Sequence, residues 1–316
     1  MKKQAYLLIA AGAALWGTIG FFVKGLYGLG FSPLQVVALR VVCAAVIMVV
    51  YLFFTRRELL KIRLKDSLYF VGTGIFSLAF FNICYFTTIQ ETSISVAVIL
   101  LYTAPAFVSL LSRIFLKEIL SLKKLLSLCF TFAGCAFVTG YLPGIGGETI
   151  TISRLGLLAG IGSGFGYALY SIFGKAALEK YHTMTIATYT FVFAALALLP
   201  LSGFISIFSS IFSSFSSSFS SSFSSSFSSS LTGAFSGVDF WLYILGLGLF
   251  PTVLAYLLYT KGLESVESSR ASIVATVEPV VASLMGVLLF GEVLSGWQLV
   301  GICFVLFAVV LIQAGS

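Results

Sequence analysis

Apolar residues in this chain gather into long runs separated by short polar connections. A hydrocarbon core is crossed by about 20 consecutive apolar residues. Runs of that length place helices at about 5–27, 33–54, 67–89, 93–115, 125–142, 154–175, 184–206, 239–262, 268–290 and 296–314. The pattern predicts an all-α integral membrane protein of about ten transmembrane helices. The opening, MKKQAYLLIAAGAALWG, has the charged start and Ala-rich stretch of a secretory signal, but its apolar run continues to about Tyr27. That is too long for a signal core, so this segment is read as the first span.

Composition points the same way. Of 316 residues, 59% are hydrophobic and 9% charged, against about 25% charged in a soluble domain. A chain of this length has no means of hiding so much apolar surface from water, so lipid must cover most of its outside. The formal charge of +7 changes meaning once the spans are drawn. With Lys2 and Lys3 placed in the cytoplasm, 15 of the 18 basic residues fall on that side, among them Arg56, Arg57, Lys61, Arg63, Lys65, Arg113, Lys117, Lys123 and Lys124. This is the bias that orients membrane helices, so the basic balance is a topology signal and not a nucleic-acid footprint. It predicts a multi-pass protein of the cell membrane with both termini cytoplasmic. The five cysteines all lie in apolar runs and the single histidine, His182, lies in a polar connection. Buried thiols act as small hydrophobes, so neither disulfide, metal site nor cofactor is expected.

The chain also repeats itself. A shift of 174 carries Tyr85–Phe130 onto Tyr259–Phe304 with 13 identities in 46 positions, and Pro105, Glu118 and Ser121 meet Pro279, Glu292 and Ser295. Earlier in each half the shift is 151, where Phe22 and Lys24 meet Phe173 and Lys175, and Trp16 meets Tyr167. The difference, 174 − 151 = 23, is the size of an insertion visible as a Phe/Ser low-complexity tract at about 206–230. Ser-rich sequence makes poor helix, so the tract is expected to be a loose loop; an interfacial helix with its Phe residues in the headgroup region is the other reading. Five helices per half is an odd number, so the second half must enter the membrane inverted. Inverted repeats of this kind are built into many secondary transporters. The boundaries that follow are 1–142 for the first repeat and 150–316 for the second.

In order and spacing, GAALWGTIGFFVK, SPLQVVALRVVCAA, YTAPAFVSLLSRIFLKE and VEPVVASLMGVLLFGE together resemble the EamA-type transporters of the drug/metabolite transporter superfamily. The resemblance spans roughly 5–142 and 154–314. It implies a ten-helix bundle around a central cavity, and export of amino acids or other metabolites. The Phe/Ser tract departs from the family pattern.

Several residues stand out within this frame. Glu278 lies mid-span in the ninth helix, where a carboxylate is costly unless paired, protonated or facing water; it is the candidate for proton coupling and substrate binding. Pro279 beside it, and Pro105 in the fourth helix, each remove a helix hydrogen bond and are candidate structural or gating positions. Ala104 stands where the repeat puts Glu278. Arg40 is the basic residue placed well inside a span, with three roles open: pairing with Glu278, binding helix-end carbonyls, or contacting an anionic group of a substrate. Trp16, Asn82, Tyr102, Tyr167 and Tyr256 are the further cavity candidates. Gly160, Gly162, Gly164 and Gly166 give GxxxG spacings on two faces of one helix, a signature of close helix packing.

The expected function is a secondary transporter, an exporter of small organic metabolites such as amino acids, working by alternating access with protons as the coupling ion that Glu278 suggests. Its partners are a small-molecule substrate and the lipid bilayer, with no nucleic acid. The alternatives are an intramembrane lipid-modifying enzyme and a non-transporting membrane sensor. The first needs a nucleophile beside a base or a metal cluster, and the spans hold no HExxH or GxSxG.

Overall fold

A computed structural model describes residues 2–139, 153–204 and 238–314. The Phe/Ser tract and its alternative readings lie outside the described residues. The described chain forms α1 (Lys2–Gly17 and Ile19–Gly28), α2 (Pro33–Thr55), α3 (Ser67–Val71 through Phe80–Glu91), α4 (Ile94–Leu101 and Ala104–Phe115) and α5 (Leu122–Val138). The second half gives α6 (Arg154–Ala177), α7 (Thr183–Leu201), α8 (Val238–Gly248 through Ala255–Leu263), α9 (Ser268–Ala275 and Val277–Phe290) and α10 (Gly296–Gln313). Among the described residues nine helices are long and apolar enough to cross a membrane. The other, α5, has 17 residues, about 26 Å at 1.5 Å per residue, somewhat short of a hydrocarbon core of about 30 Å.

Local chemistry marks the helix starts. Ser32 accepts from the Gln35 N–H while the Gln35 side chain accepts from the Ser32 N–H, and Pro33 follows at the first helical position. Ser295 and Gln298 repeat that reciprocal cap at α10. Ser121, Ser153 and His182 cap α5, α6 and α7 with their side chains. These bonds satisfy backbone donors that a helix start leaves without partners.

The two halves interlock symmetrically. The first helix of each half packs on the third and fourth helices of the other: α1 lies against α8 and α9, and α6 lies against α3 and α4. α2 packs on α7, and α5 on α10. This is a two-repeat, inverted arrangement in which neither half has a core of its own.

Glycines set the closeness of these contacts at a few places. A Cβ on Gly17 would lie 2.8 Å from the Glu278 carbonyl, and one on Gly164 would lie 2.9 Å from the Leu100 carbonyl. Gly160 and Gly164 thus face α4, while Gly162 and Gly166 face Phe80, Phe81 and Cys84 of α3. The glycine row holds α6 against two neighbours at once.

Helical irregularities recur in both halves. α4 breaks at Tyr102–Thr103 and α9 breaks at Thr276, each just before the proline of its second segment. α3 and α8 each carry a π-helical stretch, Gly72–Ala79 and Leu249–Leu254. π-bulges inside helices often sit near functional sites.

Candidate functional site

The α4 and α9 breaks border a central cavity of about 620 Å³. Its walls come from α1–α6, α8 and α9, and most of its surface is apolar or aromatic. Trp16, Asn82, Tyr102, Tyr167, Tyr256 and Glu278 all line it, together with Arg40 and Pro279. Pro105 is not among the lining residues; it is buried as the second residue of the second segment of α4.

Glu278 owes its position to the α9 break. Thr276 ends one segment and Val277 begins the next, so Glu278 sits in a new first turn, facing the positive end of a helix in the middle of the span. That end favours a negative charge. Tyr167 donates its hydroxyl to Glu278 Oε2 at 3.5 Å, a long bond. The Arg40 guanidinium is buried nearby on α2, and its Nε has no hydrogen-bond partner. Arg40 and Glu278 line the same cavity but form no ion pair. Of the three roles open to Arg40, an ion pair with Glu278 is therefore not the one this state displays. Asn82 turns its amide back to the Leu78 carbonyl at 2.7 Å.

Aromatic rings form the floor. Trp16 meets Tyr256, Tyr259 and Tyr167 with ring centroids 5.2, 5.1 and 6.2 Å apart. Tyr256 stands edge-on to Tyr170 at 4.9 Å. Beneath them, Tyr170 shares a 2.6 Å hydrogen bond with Thr260, and Ser171 shares one of 2.7 Å with Tyr259. Buried tyrosines normally satisfy the hydroxyl in this way, and here the bonds tie α6 to α8.

Below this floor the two halves are joined by charge. The Glu118 carboxylate accepts from the Ser268 N–H at 2.7 Å, the Ser269 N–H at 3.2 Å and the Ser269 hydroxyl. The Lys124 ammonium, 2% exposed, stands 3.1 Å from Glu267 and 3.5 Å from Glu118, as ionic contacts without hydrogen-bond geometry. Lys175 donates to the carbonyls of Leu263 and Val266. Burial pushes the Glu267 carboxyl up, but Lys124 and Arg270 beside it outweigh that and hold it below its ordinary value. These contacts close the molecule at the end that carries Arg56–Lys65 and Lys117–Lys124, called here the basic end. The cavity opens at the opposite end, where Tyr27, Pro33, Ile94 and Thr139 line it at helix termini.

Sequence reasoning did not find Phe81, Phe86 or Ser283 in the lining, nor the pairing of Lys124 with Glu267. Phe81 and Phe86 looked like any other apolar span residues. Ser283 did carry a signal, because it is identical to Ser109 in the repeat.

An interlocked, two-repeat helical membrane protein with a mid-span cavity and a sealed end has the architecture of a carrier. The model of the EamA-like transporter family matches residues 3–140 and 154–314, so the chain belongs to that family. It is 30% identical over 301 residues to an uncharacterized transporter of Archaeoglobus fulgidus, covering 93% of this chain and 90% of that protein. It is 27% identical to the uncharacterized transporter YwfM of Bacillus subtilis, covering 99% and 95%. A solved crystal structure superposes with a TM-score of 0.74 over 98% of this chain and 96% of its own, at 17% identity, which bears on the fold alone. The protein is thus a multi-pass membrane transporter.

Proposed function

We propose that this transporter is a secondary carrier that exports small organic metabolites across the cell membrane by alternating access, with proton coupling at Glu278. The observation that carries the reading is the geometry of one cavity: about 620 Å³, open at one end, closed at the other by contacts between the halves, with one carboxylate at a helix break in its wall. A carrier needs a site that is accessible from one side at a time. The aromatic walls favour a solute with an apolar body. Arg40 and Glu278, which do not pair with each other, offer one positive and one negative group to a zwitterion such as an amino acid. Trp16, Asn82, Tyr102, Tyr167 and Tyr256 supply the remaining contacts.

The excess of Lys and Arg at the basic end supports a cytoplasmic location for that end and for both termini. The cavity then faces outward, in the state that releases an exported solute. Reconstitution in proteoliposomes tests the proposal. A panel of amino acids and other zwitterionic metabolites is screened with and without an imposed proton gradient. Saturable uptake that the gradient accelerates is the expected result; no gradient response for any transported solute would remove the coupling, and no transported solute in the panel would remove the substrate class.

A further inference from the structure

The repeat gives Glu118, Lys175 and the groups they bind counterparts at the open end, whereas the Lys124–Glu267 ion pair falls on the uncharged Gln298 and Ser93. Shifted by 174, Glu118 becomes Glu292, and Ser268 and Ser269 fall back onto Ile94 and Ser95. Shifted by 151, Lys175 falls back onto Lys24, and by 174 its acceptors Leu263 and Val266 fall back onto Ile89 and Thr92.

The local scaffolds of the two glutamates match. Glu118 N–H donates to the Ser112 carbonyl at 3.1 Å, and Glu292 N–H donates to the Gly286 carbonyl at 3.2 Å, with 112 + 174 = 286. The residue before each lies in the left-handed region, Lys117 at φ 55° and Gly291 at φ 67°. Lys117 is the one non-glycine at positive φ among the described residues, a conformation that costs an L-residue energy. After each glutamate a serine caps the next helix at 3.3 Å, Ser121 to the Lys124 N–H and Ser295 to the Gln298 N–H. The corner is therefore built the same way twice, but the two carboxylates differ in what they hold. Glu118 is 8% exposed and grips the start of α9. Glu292 is exposed, with no hydrogen bond or ion pair from its carboxylate among the described residues. Likewise Lys175 reaches two carbonyls, whereas Lys24 rests 3.6 Å over the Phe290 ring.

We propose that Glu292 and Lys24 are the gate residues of the open end. When the cavity turns to the basic end, the Glu292 carboxylate accepts from the backbone N–H groups of Ile94 and Ser95 at the start of α4, and Lys24 donates to the carbonyls of Ile89 and Thr92. The inference rests on the alternating-access reading above and names the contacts of the state not displayed here. The two gates exclude one another. Closing α4 onto Glu292 brings together helix ends that the cavity mouth now separates, and opening the other end releases α9 from Glu118. Each gate is a helix N-terminus met by a carboxylate, which is favourable electrostatically, so forming one offsets part of the cost of releasing the other. The Lys124 ion pairs, which have no charged counterpart in the repeat, bias the equilibrium toward the state described here.

Cysteine cross-linking in membranes tests this directly and needs no substrate. In a background lacking the five native cysteines, one variant carries Glu118→Cys with Ser268→Cys, and a second carries Glu292→Cys with Ile94→Cys. The first pair should cross-link in the state described here. The second should cross-link slowly, and about tenfold faster when Lys124→Met is added to loosen the basic end, a factor within the usual range of coupling between linked sites. A third variant, Ser283→Cys with Glu292→Gln, reports on the gate without disturbing the corner. Its cavity thiol should react less often from the basic end than Ser283→Cys alone. If Ser283→Cys reacts from the basic end but the Glu292–Ile94 pair never cross-links and Glu292→Gln changes nothing, the gate assignment fails while alternating access stands. If the cavity thiol never reacts from the basic end in any variant, alternating access itself fails, and the gate with it.

Discussion

Tyr167 and Glu278 meet hydroxyl to carboxylate at 3.5 Å, both from the second half of the chain. Their repeat counterparts are Trp16 and Ala104, which have no such pair to make. The cavity thus combines a symmetric frame with a carboxylate from one half only. A long hydrogen bond to a half-buried carboxylate contributes little to folding. Tyr167→Phe is expected to lower thermal stability in detergent by less than about 1 kcal/mol. It removes a donor to the ionised carboxylate, so the pH profile of transport is expected to move. A large loss of stability with an unchanged profile would make the tyrosine a packing residue and no more.

Two glycines one turn apart in α1 offer a matched pair. A Cβ at Gly17 would stand 2.8 Å from the Glu278 carbonyl and 2.7 Å from Val281 Cβ, whereas Gly20 has nothing within 4 Å. Gly17→Ala should cost about 1–3 kcal/mol of stability through overpacking and impair transport by displacing the α9 break. Gly20→Ala should be neutral or slightly stabilising, by up to about 1 kcal/mol, since alanine suits a helix better than glycine. Thermal melts of the two variants in the same detergent decide it; equal effects would mean that α1 does not bear on the break.

Much of this frame was legible in the sequence because it follows from local chemistry. Apolar runs gave the helices, and Pro105 with Pro279 placed the breaks in α4 and α9 within a few residues. The glycine row of α6 announced close packing, although only the structure tells that Gly160 and Gly164 serve α4 while Gly162 and Gly166 serve α3. The π-helical stretches of α3 and α8, GTGIFSLA and LFPTVL, share no residue pattern that sets them apart from the α-helical spans around them, so the sequence does not announce them. The basic-end closure was half visible. Glu118 stands out as a repeat match to Glu292, but its partners Ser268 and Ser269 lie 150 and 151 residues away, and no periodicity reports a contact of that range. The end of α5 was expected near residue 142 and is observed at Val138, where Thr139 stops the helix before the glycine-rich stretch that follows.

Orientation can be settled with two positions. Lys61 is exposed between α2 and α3 at the basic end, and Gly28 is exposed at the far end of α1 with open space around it. After removal of the native cysteines, Gly28→Cys should react with an impermeant thiol reagent on intact cells, and Lys61→Cys should react only after permeabilisation. The reverse pattern would place the basic end outside and turn the proposed direction of the open cavity around.

Glu278 is the residue whose substitution separates coupling from architecture. It sits at the start of the second α9 segment, beside Pro279 and within reach of Tyr167, in the wall of a cavity that also holds Arg40. Each state of the carrier offers this carboxylate a different solvent and different partners, so proton binding biases which state is populated. Glu278→Gln preserves size and hydrogen-bonding capacity while fixing a neutral side chain. Expression and thermal stability should therefore stay close to wild type, and acceleration of transport by a proton gradient should be abolished. Solute counterflow, which needs no net proton movement, should persist at a substantial fraction of the wild-type rate. Glu278→Ala should in addition remove the bond to Tyr167 and the side-chain packing in the cavity wall, at about 1 kcal/mol or more. Parallel counterflow and gradient-driven assays on the same proteoliposomes separate the two roles. A Gln variant with the wild-type gradient response and pH profile would remove Glu278 from coupling and leave it as the polar group that the α9 break holds in place.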